Sequence, residues 1–198
     1  MDRQIGAQII AMRNADLQLR QQLVESGQLF DGYHPAMEQM HNHHAQALEN
    51  MMLRFGYPTA ENFGAEASEA AWLIMQHSIG RPDFMRLCKK LLEEAVAQQQ
   101  ADPVQLAYLG DRIAVLEGNP QHYGTQFDWD DGGELSPLPC HDPETLDDRR
   151  TAIGLKTIKE QTMAMRQRAA AEGNTPPKDP DKRRAEATAW KRRVGWLP

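Results

Sequence analysis

Gly118-Asn119-Pro120-Gln121-His122-Tyr123-Gly124-Thr125-Gln126-Phe127-Asp128-Trp129 is the stretch about which this chain is organised. It leaves a segment of helical periodicity ending in Asp111-Arg112-Ile113-Ala114-Val115-Leu116-Glu117 and runs into Asp130-Asp131-Gly132-Gly133, a turn signal. Its two glycines free the backbone to turn, and most residues between them carry hydrogen-bonding side chains. Prolines at 120, 137, 139 and 143 exclude a continuous helix through this region, because each lacks the backbone donor a helix interior needs. Segments 123–129 and 134–138 flank the turn and predict one short β-hairpin, the only β element expected.

Outward from this insertion the chain reads as helices. Toward the N-terminus, residues 2–26 repeat apolar positions at helical spacing: Ile5, Ile9, Met12, Ala15 or Asp16, Leu19, Leu23. Phe30-Asp31-Gly32-Tyr33 predicts a turn that delivers His34 and Pro35 to a second helix over 35–55, proline being suited to a first helical position. Thr59 to Gly64 reads as a connection. A third helix, 65–78, carries Ala67, Ala70, Ala71, Ile74 and His77 along one stripe, small enough for another helix to approach closely. A fourth has Phe84, Leu87, Cys88, Leu91, Leu92 and Ala95 as its apolar face, and a fifth begins at Asp102-Pro103. Beyond the insertion, helices are expected over 144–154, 155–171 and 181–194, the last joined by a polar, proline-rich linker. The expected fold is mainly α: one domain of six to eight helices over 1–172 with the 118–143 insertion. The 173–198 segment is expected to pack on it through Trp190 and Trp196.

Composition narrows the function classes. A net charge of -6 argues against a nucleic-acid binder, which needs clustered positive charge. The tail from Lys178 to Arg193 does hold seven basic residues, but three acidic ones are mixed among them, the pattern of a solvated helix. No apolar run is long enough for a membrane span, and Cys88 and Cys140 form no CxxC pair. With no secretory signal in Met1-Asp2-Arg3-Gln4-Ile5-Gly6, the expectation is a cytoplasmic protein without membrane or nucleic-acid partners.

Several motifs recur together: Tyr33-His34-Pro35, Trp72-Leu73 with Gln76-His77, Asp111-Arg112-Ile113, Pro120-Gln121 with Tyr123-Gly124-Thr125-Gln126, Asp142-Pro143, and Asp148-Arg149-Arg150. In these the chain resembles a bacterial domain family of unknown function with a Tyr-Gly-Thr-Gln signature. The resemblance runs nearly full length and takes in Arg192-Arg193-Val194-Gly195-Trp196. It implies a helical bacterial domain and brings no activity with it.

The candidate site residues follow from side-chain chemistry. His77, beside Gln76 at the end of an apolar stripe, is either a general base or acid or a buried histidine satisfied by one carbonyl. Asp111 and Arg112 are adjacent on a helix and cannot pair with each other. Each either joins a structural salt bridge, with Arg149, Arg150 or Asp142 as partners, or acts on a ligand, Asp111 orienting a histidine and Arg112 holding an anion. Gln121, Tyr123, Thr125 and Gln126 either donate to an oxyanion or tie the loop down. The histidine-rich second helix points first to a divalent metal on His34, His41 or His77, with His43 and His44 read as exposed helix surface. No HExxH, GxSxG or phosphate-binding GxxxxGK[ST] motif occurs.

The expected arrangement is a cleft between the third and fifth helices under the insertion, lined by His34, Gln76, His77, Asp111, Arg112, Gln121, Tyr123 and Gln126. Two functions fit. One is an enzyme acting on a small polar metabolite, hydrolase-like, with His77, Asp111, Arg112 and Gln126 catalytic and His34, Gln76, Gln121 and Tyr123 binding substrate. The other is a non-catalytic ligand-binding or interaction module, a protein partner meeting the second helix through Met37, Met40, Met51 and Met52.

Overall fold

The computed structural model describes residues 3–28 and 33–198. It is mainly α-helical, with one two-stranded antiparallel sheet among the described residues. The chain divides into two compact units, Met1–Asp102 and Pro103–Pro198. The turn expected at Phe30-Asp31-Gly32 lies outside the described residues.

The first unit contains α1 (Arg3–Glu25), α2 (Pro35–Phe55), α3 (Ala60–Phe63), α4 (Ala65–His77) and α5 (Pro82–Ala97). Helix α4 is its centre, packing on each of the other four. The alanine stripe explains this: Ala67, Ala70 and Ala71 are buried, and an added methyl on Gly6 of α1 would stand 3.5 Å from the Ala67 Cβ and 3.0 Å from the Phe63 carbonyl oxygen. Side chains this small let α1 and α4 approach closely. Ile74, Met75, Phe84, Met85, Cys88 and Leu92 fill the remaining core with α2 residues Leu48 and Met52. Burying a side chain of this size stabilises by roughly 1.5–3 kcal/mol.

Helix ends are set by local chemistry. His34 caps α2, its Nδ1 accepting from the Ala36 N–H at 3.2 Å, with Pro35 in the first helical position. Thr59 caps α3 by accepting from the Asn62 N–H, which makes a short helix of the stretch expected to be a connection. With it the described residues form nine α-helices, eight within 1–172, inside the expected range, and one beyond it. Four residues are too few to register as periodicity.

In the second unit, α6 (Pro103–Leu116) leads into the insertion, then β1 (Phe127–Trp129) and β2 (Leu135–Pro137). The strands pair as Phe127↔Pro137, Asp128↔Ser136 and Trp129↔Leu135. A further single bridge, parallel and unexpected, joins Gln121 to Cys140. A 3₁₀ turn at Pro143–Thr145 opens α7 (Leu146–Ala152), and α8 (Ile158–Ala171) starts from a capping box between Thr157 and Glu160. Helix α9 (Pro180–Val194) is tied to the hairpin by Arg183 on Asp128 and Arg184 on Asp131, and to the end of α6 by Lys191 Nζ on the Val115 carbonyl at 2.8 Å. Trp196 is buried and Trp190 half-buried. Among the described residues, no helix is long and apolar enough to cross a membrane.

Candidate functional site

In the first unit α1, α2 and α4 each bring one polar side chain to a common point. Asp16 of α1 is 1% exposed, although its place on the helix is an apolar one, seven residues from the buried Ile9 and seven from the buried Leu23. Its Oδ2 takes a hydrogen bond at 2.7 Å from Nδ1 of His77 at the end of α4, and His41 Nε2 from α2 lies 3.2 Å from the same oxygen. His41 Nε2 is within ion-pair distance, yet it is not aligned for a hydrogen bond. On the far side of the His41 ring, Nδ1 meets the Tyr33 hydroxyl at 2.6 Å. The two imidazoles lie 5.1 Å apart, centre to centre.

Burial alone would raise the Asp16 pKa, but the contacts and charges of His41 and His77 outweigh it and hold this carboxyl well below the usual carboxylate range. Asp16 therefore stays ionised at neutral pH. The Tyr33 hydroxyl is pushed the other way, first by burial and then by the nearby Glu38 and Asp16 charges, and stays protonated. His77 is 24% exposed, so this site opens to solvent on the His77 side.

The other residues expected to function in this unit are placed as follows. His34 is occupied as the α2 cap, and Gln76 is buried beside His77. His43 is exposed as expected, but His44 is buried, because it lies three residues from His41 on the inward face of α2; burial lowers its pKa. Met37 and Met52 are buried, and Met40 and Met51 half-buried. A shallow groove of about 200 Å³ also exists in this unit, lined by Tyr57, Asn62, Leu91, Glu94 and Gln98 among others, and no residue of the Asp16 cluster borders it.

The second unit holds Asp111, Gln121, Tyr123 and Gln126 in one network. Asp111, 1% exposed, accepts from the backbone N–H of His122 at 2.8 Å, of Tyr123 at 3.1 Å and of Thr125 at 2.9 Å, and from the Thr125 hydroxyl at 3.0 Å. Its partners are the amides of the Tyr-Gly-Thr-Gln loop. Among the described residues Asp111 forms no ion pair with Arg149 or Arg150, and the carboxylate on His77 is Asp16 in place of the expected Asp111. Arg150, also 1% exposed, binds that loop from its carbonyl side, donating to Tyr123 and Gly124 and, at 2.6 Å, to Lys156. Gln121 is fully buried: its Nε2 donates to the Gln126 and Leu138 carbonyls and its Oε1 accepts from the Gln126 N–H. The Gln126 side chain donates to the Thr125 hydroxyl. Gly124 has φ +65°, and an added Cβ would stand 3.0 Å from Ile158 Cδ1 and 3.2 Å from Cys140 Sγ, so any larger residue is strained there. Arg112 is half-buried, and burial lowers its pKa.

Cys140, half-buried beside this loop, has its thiol pKa raised by burial and by the Asp111 charge, which Arg149 and Arg150 only partly offset. Burial raises that of Cys88 as well. Iodoacetamide at pH 7.5 is therefore expected to label Cys140 more slowly than a free thiol and to leave Cys88 unmodified until denaturant is added. Because a raised pKa delays thiolate formation, the Cys140 rate should still be climbing above pH 9, as peptide mass mapping of the native protein would record.

The fold and its two polar networks define a helical protein with a buried carboxylate–histidine cluster in one unit and a clamped loop in the other. The chain belongs to the Family of unknown function (DUF6624), whose model matches residues 3–171. The closing Arg192-Arg193-Val194-Gly195-Trp196 lies outside the match. No curated protein and no solved structure matches the chain.

Proposed function

We propose that this protein is an enzyme acting on a small polar metabolite through histidine-centred acid–base chemistry of the hydrolytic kind, with its working groups at Asp16, His41 and His77. The observation that carries the reading is the 2.7 Å bond from His77 Nδ1 to the buried Asp16. An ionised carboxylate on Nδ1 keeps the proton there, so Nε2 carries the basic lone pair. The same carboxylate stabilises the imidazolium formed when that lone pair takes a proton from an attacking water. Since His77 is partly exposed and Asp16 is not, substrate reaches the base while the orienting group stays dry.

Asp111, Gln121 and Gln126 are assigned to holding the Tyr-Gly-Thr-Gln loop, their hydrogen-bonding capacity being used within it.

The test is hydrolysis of p-nitrophenyl acetate, p-nitrophenyl phosphate and an aminoacyl p-nitroanilide by the wild type and by His77→Ala. At least one probe should turn over, with the variant slower by roughly 10²- to 10⁴-fold and its circular dichroism unchanged. A variant that melts or precipitates would give His77 a structural role. Turnover of none of the probes by the wild type would contradict the enzyme reading.

A further inference from the structure

We infer that the Asp16–His41–His77 cluster is a binding site for one divalent transition-metal ion of the zinc or iron(II) type. The inference rests on the reading above only in taking this cluster as the functional one. One carboxylate oxygen and one nitrogen from each imidazole lie within 4.8 Å of one another. The two contacts to Asp16 Oδ2, 2.7 Å from His77 Nδ1 and 3.2 Å from His41 Nε2, approach the edge of a coordination polyhedron. Ligand bonds of about 2.0–2.1 Å at tetrahedral angles place neighbouring donors about 3.3 Å apart.

Two atoms at this point are left without hydrogen-bond partners among the described residues: Asp16 Oδ1 and His41 Nε2, both buried. A buried polar atom left unsatisfied is costly and is uncommon in native proteins, whereas a cation between the three side chains would engage His41 Nε2. The outer contact fits as well. A histidine that binds metal through Nε2 donates its Nδ1–H to an acceptor, and His41 Nδ1 sits 2.6 Å from the Tyr33 hydroxyl oxygen. Each donor also comes from a different helix, α1, α2 or α4, which fixes the spacing before the ion arrives.

Two imidazoles and a carboxylate form a donor set for zinc, iron(II), cobalt or manganese, while magnesium and calcium take oxygen ligands. Three protein ligands leave coordination positions for water, as in catalytic rather than structural sites. The ion would lower the pKa of that water to about 7. With it bound, His77 Nδ1 would be a ligand, and the bound water would release its proton to the solvent reached on the His77 side and attack as the nucleophile.

The experiment is calorimetric titration of chelator-stripped, full-length protein with Zn²⁺, and with Co²⁺ followed by visible absorption, in the absence of any substrate. One-to-one saturable binding is expected, with d–d bands from Co²⁺, and His77→Ala and Asp16→Asn should each weaken it by about 100-fold or more. His77 is partly exposed, so its alanine variant serves if the Asp16 variant does not fold. No saturable binding by the wild type, or wild-type affinity in folded His77→Ala, would overturn the inference. A metal-free protein whose hydrolysis still depends on His77 removes the ion and keeps the acid–base reading. Saturable binding without turnover keeps the ion and removes the enzyme.

Discussion

Asp111→Ala is expected to destabilise the second unit by about 4 kcal/mol or more. The substitution leaves three backbone N–H groups and the Thr125 hydroxyl without the acceptor they share. Each buried donor so orphaned costs about 1–3 kcal/mol, and hydrogen bonds to a charged acceptor lie toward the upper part of that range. The total rivals the whole stability of a domain, roughly 5–15 kcal/mol. Arg150 worsens the outcome, because it stays bound to the loop carbonyls and keeps only Asp147 of the two carboxylates whose charges act on it. Urea unfolding followed by the fluorescence of Trp129, Trp190 and Trp196 would measure the loss. A midpoint within experimental error of wild type would mean that the loop does not depend on Asp111.

The second large effect is expected at Asp16. Asp16→Asn keeps the size of the side chain but replaces an ionised acceptor with an amide, so His77 loses the group that holds its tautomer and offsets its charge. Turnover should fall by roughly a thousandfold or more, the scale on which an orienting carboxylate acts in hydrolytic triads. The fold should survive better than in Asp111→Ala, because only side chains lose a partner and no backbone donors are exposed. His41→Ala should show a smaller loss of rate than Asp16→Asn if His77 alone transfers the proton, and a comparable one if both imidazoles hold an ion. Initial rates on whichever probe the wild type hydrolyses separate these cases.

Much of the fold was legible, and Asp16 shows where reading stopped. Helical spacing placed the long helices, since a stripe such as Ala67, Ala70, Ala71 and Ile74 leaves few alternatives to an amphipathic helix. The hairpin was legible from its Gly-rich turn. In the sequence Asp16 stands only as an alternative occupant of an apolar stripe, because periodicity treats a charged residue there as noise. A carboxylate midway between Ile9 and Leu23 is in fact the signal: burial at that position demands a partner, and two histidines from distant helices supply it. Asp111 posed the same demand and was recognised, but a sequence does not state whether a buried carboxylate will take arginines or amides. The loop 11–14 residues later answers it, through a conformation that Gly124 adopts without strain. His44 was misjudged because neighbouring histidines on a polar helix read alike until the inward face is known.

The most direct test of whether chemistry belongs to the Asp16 cluster and structure to the Tyr-Gly-Thr-Gln loop is one set of initial rates, measured side by side on His77→Gln and Thr125→Val. Thr125→Val removes two hydrogen bonds, one donated to Asp111 and one accepted from Gln126, and should lower stability by about 1.5–3 kcal/mol while leaving the rate within about twofold of wild type. His77→Gln should do the reverse, losing about 100-fold or more in rate with little change in melting. A Thr125→Val protein that has lost its rate, beside a His77→Gln protein that has kept it, would contradict the account and return the working site to the loop.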